Sequence, residues 1–95
     1  MKPKYLDETC RALAELHTGR DGKISHFWQW VDCGQIAGKL RMSRGGALHR
    51  MNVLESWGLV ERREYRRGWF GYYEFKLTDY AYEKYKPTPV PVIRG

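Results

Sequence analysis

The chain has 95 residues, enough for one small domain with a single core. Hydrophobic residues at 42% and aromatics at 15% exclude a disordered tail, and no apolar run approaches the roughly 20 residues of a membrane-spanning helix. Basic side chains outnumber acidic ones 17 to 11, for a net charge of +6. The start, Met1 to Glu8, turns acidic where a secretory leader would be apolar, so a cytoplasmic location is expected. In that reducing setting Cys10 and Cys33 are expected as free thiols.

Taken in order, Tyr5 to His17 carries Leu6, Cys10, Leu13 and Leu16/His17 at helical spacing, which predicts a first helix. Gly19 and Asp21-Gly22 stop it. His26 to Val31 is aromatic and β-branched, with Trp28 and Trp30 two apart, and predicts a short strand. Asp32 is placed to cap a second helix running to about Arg41, with Gln35 completing a capping box and Ile36, Ala37 and Leu40 facing inward. Ser43 caps a third helix through Trp57, ended by Gly58 as a C′ residue. Leu59 to Tyr65 and Tyr72 to Thr78 predict a hairpin whose loop is Arg66 to Gly71. Tyr73, Phe75 and Leu77 alternate with Tyr72, Glu74 and Lys76, which assigns the first three to the core. Thr78 caps a last helix, Asp79 to Tyr85. Pro87, Pro89 and Pro91 forbid more helix, so residues 1–86 form the domain and 87–95 an extended tail.

The excess charge is concentrated. Residues 1–38 hold five basic and five acidic side chains, whereas residues 39–67 hold eight basic ones against Glu55, Glu61 and Glu64, for +5. Seven of those eight are arginine, the type suited to phosphate and guanine. A basic block on a small domain favours a polyanionic partner, nucleic acid foremost.

The stretch Ile36-Ala37-Gly38-Lys39-Leu40-Arg41-Met42-Ser43, followed by Ala47-Leu48-His49-Arg50-Met51-Asn52-Val53-Leu54-Glu55-Ser56-Trp57-Gly58-Leu59-Val60-Glu61-Arg62, resembles the helix-turn-helix and first wing strand of MarR-like and PadR-like regulators. Phe75-Lys76-Leu77-Thr78-Asp79 resembles the junction of their second wing strand with the next helix. The resemblance spans roughly residues 32–80. It agrees with the order of elements and implies an α+β winged helix-turn-helix: a three-helix core with a short strand, a two-stranded wing and a short C-terminal helix. It also implies dimerisation through flanking elements. The seam would then comprise Leu6, Leu13, Tyr82 and Tyr85. The other reading is that these residues close the monomer's own core.

On a helix turning about 100° per residue, Ala47, Met51 and Leu54 share the core face of the third helix. Opposite lie Gly45, His49, Asn52 and Ser56, a polar face nearly free of acid. The base-contacting candidates are Arg44, Gly45, His49 and Asn52. Candidates for the DNA backbone are Lys39, Arg41, Ser43, Gly46, Arg50, Arg63, Arg66 and Arg67. Arg50 lies nearer the core rim, where an internal partner is the alternative. Gly45-Gly46 reads equally as close approach to phosphate or as a tightly packed helix start. Trp69-Phe70 stacks on sugars, wedges between bases or closes the hairpin, and hairpin packing is favoured for Trp69.

Cys10, His17, His26 and Cys33 lack the close ligand pairs of a structural zinc site, so no metal is expected, and His17 is assigned to the surface. No phosphate loop, nucleophile elbow or metalloprotease motif is present, so neither catalysis, a cofactor nor a small-molecule substrate is expected. The expected function is sequence-specific binding of double-stranded DNA by a transcriptional regulator, with helix 44–57 in the major groove and the wing 62–71 on the backbone. The alternatives are a winged helix docking on an acidic protein and a non-specific architectural DNA binder.

Overall fold

A computed structural model describes residues 2–18 and 30–87. The stop at Gly19 and Asp21-Gly22, most of the aromatic strand with Trp28, and the tail beyond Pro87 lie outside the described residues. The order is α1 (Leu6–His17), β1 (Val31–Asp32), α2 (Cys33–Leu40), α3 (Arg44–Ser56), β2 (Val60–Arg67), β3 (Phe70–Leu77) and α4 (Asp79–Tyr85). These four helices and one three-stranded antiparallel sheet, in the order β1-β3-β2, make an α+β fold.

Local chemistry sets most helix ends. At α2 the Asp32 carboxylate accepts the Gln35 N–H at 2.8 Å, and the Gln35 side-chain oxygen accepts the Asp32 N–H at 3.1 Å. This reciprocal box satisfies two amides that the first turn leaves without helical partners. Ser43 Oγ accepts the Gly46 N–H at 3.1 Å, and Thr78 Oγ1 accepts the Ala81 N–H at 3.3 Å. At its other end α3 closes on Gly58, with φ of 72°. There the Leu59 N–H reaches Leu54 O at 3.0 Å and the Gly58 N–H reaches Glu55 O at 2.9 Å. That pair of bonds is a Schellman motif, and it turns the chain from helix into β2.

The core lies between the helices and one face of the sheet. Leu6, Cys10, Leu13 and Ala14 of α1 meet Ile36, Met51 and Leu54, with Val31, Val60, Phe75 and Leu77 across from them. His17, expected at the surface, is fully buried, and its Nε2 accepts the Leu77 N–H at 3.3 Å. It continues the Leu6–Cys10–Leu13 stripe, so the helix that buries that stripe buries the ring too.

The seam residues are also placed inside. Leu6, Leu13, Tyr82 and Tyr85 are buried within the single chain and are not available to a second copy. The reason is α4, a seven-residue helix laid on α1. Thr18 Oγ1 and the Tyr82 hydroxyl lie 2.9 Å apart, and the Tyr85 hydroxyl donates to the Asp7 carboxylate.

The hairpin differs most from the sequence reading. Its strands pair from Val60↔Leu77 out to Arg67↔Phe70, so the expected six-residue loop shrinks to Gly68-Trp69. Gly68, at φ of 63°, supplies the left-handed backbone that a two-residue hairpin turn requires at its first position. No residue of the hairpin from Glu61 to Glu74 is buried. Tyr73, assigned to the core, is 43% exposed, and Arg62 stacks on its ring at 5.0 Å.

Candidate nucleic-acid interface

The register of α3 follows from its three buried residues. Ala47, Met51 and Leu54 pack inward, which leaves Gly45, His49, Asn52 and Ser56 exposed on the opposite side. His49 and Asn52 make no side-chain hydrogen bond or ion pair among the described residues, so their donors and acceptors face solvent. No carboxylate lies on that line of residues.

The two first-turn glycines prove to be different. A Cβ on Gly46 would sit 3.3 Å from Ser43 Oγ, the capping oxygen, and 3.5 Å from Met42 Cε. A Cβ on Gly45 would meet nothing within 4 Å. Packing thus accounts for Gly46, and nothing among the described residues accounts for Gly45.

The basic block divides more sharply. Lys39 pairs with Glu15 at 2.6 Å, Arg62 with Glu55 at 3.2 Å and Arg63 with Glu74 at 2.9 Å, while Arg66 pairs with Glu64 two residues earlier in β2. Arg63 also stacks on Trp30 at 4.5 Å. Arg50, one of the backbone candidates, turns inward: Nη1 donates to Thr9 Oγ1 at 3.1 Å, and the guanidinium lies 4.6 Å from the Tyr5 ring centre. It fastens α3 to α1 and leaves the exposed face. Its position on the core rim brings it within reach of α1, and a partly desolvated guanidinium gains more from a fixed hydroxyl and ring than from solvent.

Arg41, Arg44 and Arg67 are exposed and form no ion pair among the described residues. Arg41 adopts a left-handed backbone, φ 55° and ψ 51°, at the end of α2. That conformation costs a non-glycine residue about 1 kcal/mol. Arg44 opens α3 and Arg67 closes β2.

The hairpin and α3 are brought together by a groove of about 410 Å³, lined by Cys33, Arg44, Leu48, Phe70, Tyr72 and Tyr73 among others. It places the start of α3 beside the distal half of β3. The Cys33 thiol at its edge is held above its ordinary pKa, first by burial and then by Asp32, with Arg44 opposing both. It stays a neutral thiol at physiological pH.

Sequence reasoning did not single out the aromatic outer part of the hairpin as a unit. Tyr65 and Tyr72 face each other across the strands at 5.1 Å, Phe70 lies 5.8 Å from Tyr72, and Trp69 meets Phe70 edge-on at 6.2 Å. A six-residue loop hides the pairing that a two-residue turn creates. Hairpin packing is the expectation for Trp69, and the structure differs. Trp69 is 96% exposed, because a side chain at the apex of a two-stranded ribbon has no opposite face to cover it.

No protein-family model matches the chain, and no curated protein or solved structure shows significant similarity to it. No helix among the described residues is long and apolar enough to cross a membrane.

Proposed function

We propose that this chain is a winged helix-turn-helix protein that binds double-stranded DNA sequence-specifically, as a transcriptional regulator does. The α2–α3 pair would be its helix-turn-helix and β2–β3 its wing. What carries the reading is the outward face of α3. Exposed His49 and Asn52, without a side-chain partner among the described residues, suit the base edges of a major groove, where asparagine pairs with adenine and an imidazole reaches guanine or phosphate. Arg41 at the end of α2, Arg44 at the start of α3 and Arg67 at the end of β2 are exposed cations that need break no ion pair to reach phosphate. The β1-β3-β2 order and the helix, strand, helix, helix, hairpin, helix sequence of elements support the same architecture.

Fluorescence anisotropy of a labelled duplex, titrated between about 50 and about 200 mM salt, tests it. Three free arginines correspond to a slope of log K against log salt near −3, at about −0.9 per phosphate neutralised. Arg41→Ala should weaken binding to every duplex, and Asn52→Ala should relax the preference found by selection from a random pool. Absence of binding at the lower salt would refute the proposal and point to an acidic protein as the partner of the same basic face.

A further inference from the structure

The outer hairpin presents a combination that neither its own folding nor the α3 reading uses. Trp69 projects from the apex with 96% of its surface in solvent, and Phe70 beside it is 54% exposed. Large apolar rings held in water at the apex of a ribbon are surface available to a partner. At that apex an indole with 96% of its surface exposed is placed to enter a ligand. The neighbouring charges restrict what it enters. Arg67 pairs in register with Phe70 and forms no ion pair among the described residues, while the nearby carboxylate, Glu64, is held by Arg66. The tip is therefore cationic and aromatic at once, which complements a polyanion that offers flat apolar faces between its charges. Nucleic acid has that form: phosphates outside, base planes within.

We infer that the hairpin tip is a base-stacking wedge, with Trp69 inserting at a base step while Arg67 holds the adjacent phosphate. This rests on the DNA-binding reading and deepens it, because it specifies the substrate as duplex that unstacks readily. A two-residue turn with Gly68 at φ of 63° fixes where Trp69 leaves the backbone, and the edge-on contact with Phe70 supports one side of the indole. A groove lined by Arg44 and Leu48 of α3 and by Phe70, Tyr72 and Tyr73 of β3 separates the start of that helix from the ribbon. Inserting a ring into intact duplex costs the stacking of one step, and that cost is smallest at a mismatch or a flexible pyrimidine–purine step. The wedge therefore turns local deformability into affinity at a position no side chain reads by hydrogen bonding.

The test uses the full chain, a fluorescein-labelled duplex of about 20 base pairs, and the same duplex with one central mismatched pair. Wild type is expected to bind the mismatched duplex about tenfold more tightly. Trp69→Ala should bind the two duplexes equally, and Trp69→Phe should retain most of the preference. The indole is almost fully exposed, so both variants should unfold at the wild-type temperature, which circular dichroism checks. Equal binding of both duplexes by wild type overturns the wedge. So does a Trp69→Ala variant that weakens both equally, because the ring would then lie on the sugar–phosphate backbone. Failure of wild type to bind either duplex is a different result and refutes the DNA-binding proposal itself.

Discussion

Replacing Gly45 with alanine separates stability from function at one atom. Glycine within a helix costs about 0.8–1 kcal/mol relative to alanine, and α3 carries two in its first turn. The Cβ of Gly45→Ala has open space, with no atom within 4 Å, so the variant should gain up to about 1 kcal/mol. For a chain of this size that is a rise in melting temperature of about 4–8 °C. Gly46→Ala is the internal control. Its Cβ would press at 3.3 Å on Ser43 Oγ, whose bond to the Gly46 N–H caps the helix. Disturbing a cap costs about 1 kcal/mol, which cancels the propensity gain, so Gly46→Ala should melt at or below the wild-type temperature. On DNA the order should reverse in sense. Gly45 lies on the exposed line with His49 and Asn52, where a methyl group holds the backbone away from phosphate, so the stabilised variant should bind more weakly. Thermal denaturation followed by circular dichroism and duplex titration by anisotropy measure the two halves. A Gly45→Ala protein that melts lower than wild type refutes the packing argument. One that melts higher and binds DNA unchanged refutes close approach as the reason for the glycine.

Two further outcomes are expected from groups turned inward. Arg50→Ala should lower stability by about 1–2 kcal/mol in urea denaturation, from loss of the Thr9 bond and the Tyr5 stack, while leaving duplex affinity within about twofold; a large loss of affinity at unchanged stability would return Arg50 to the interface. Burial pushes the Cys10 thiol from 9.0 up to about 12, with Asp7 adding to the shift. Above pH 9 the unfolded chain ionises this thiol while the folded chain keeps it protonated. The unfolded state then binds fewer protons, so this group's contribution makes stability fall as pH rises from about 9 towards about 12. Comparing urea midpoints of wild type and Cys10→Ala across that range isolates the effect, and parallel curves would contradict it.

The helix ends were readable because each is decided within about four residues. Asp32 with Gln35, Ser43, Thr78 and Gly58 all act where the sequence places them. The hairpin was less readable because the extent of pairing depends on two strands at once. Phe70 and Gly71, beside Gly68, look like loop until Arg67 and Arg66 are found opposite them. Alternation correctly put Tyr73 on the same face as Phe75 and Leu77, but the length of the core under that face is set by where the helices end. Arg50 and Thr9 lie 41 residues apart, and Tyr85 and Asp7 lie 78 apart, so no local pattern announces either contact. The same holds for Glu15 and Glu74, which neutralise Lys39 and Arg63 from outside the basic block.

Those ion pairs have a structural reason that sharpens the functional reading. A two-stranded ribbon extending beyond the core is marginal in water, because neither face buries enough apolar surface. From Glu61 to Phe70 every residue is exposed, so side chains must hold the strands in register. Arg63 pairs with Glu74 and Lys76 with Glu61, each directly across the strands, and Tyr65 faces Tyr72 between those pairs and the tip. Cross-strand pairs of these kinds contribute about 0.2–1 kcal/mol each. Their carboxylates therefore keep the ribbon extended at the cost of occupying most of its cations. Only Arg67, in register with Phe70 at the last pair before the turn, is left without an acid among the described residues, and it is the cation nearest Trp69 in the chain. The proposed wedge needs this arrangement: cross-strand pairs that hold the ribbon in register, and an arginine without an acid beside the indole at the tip.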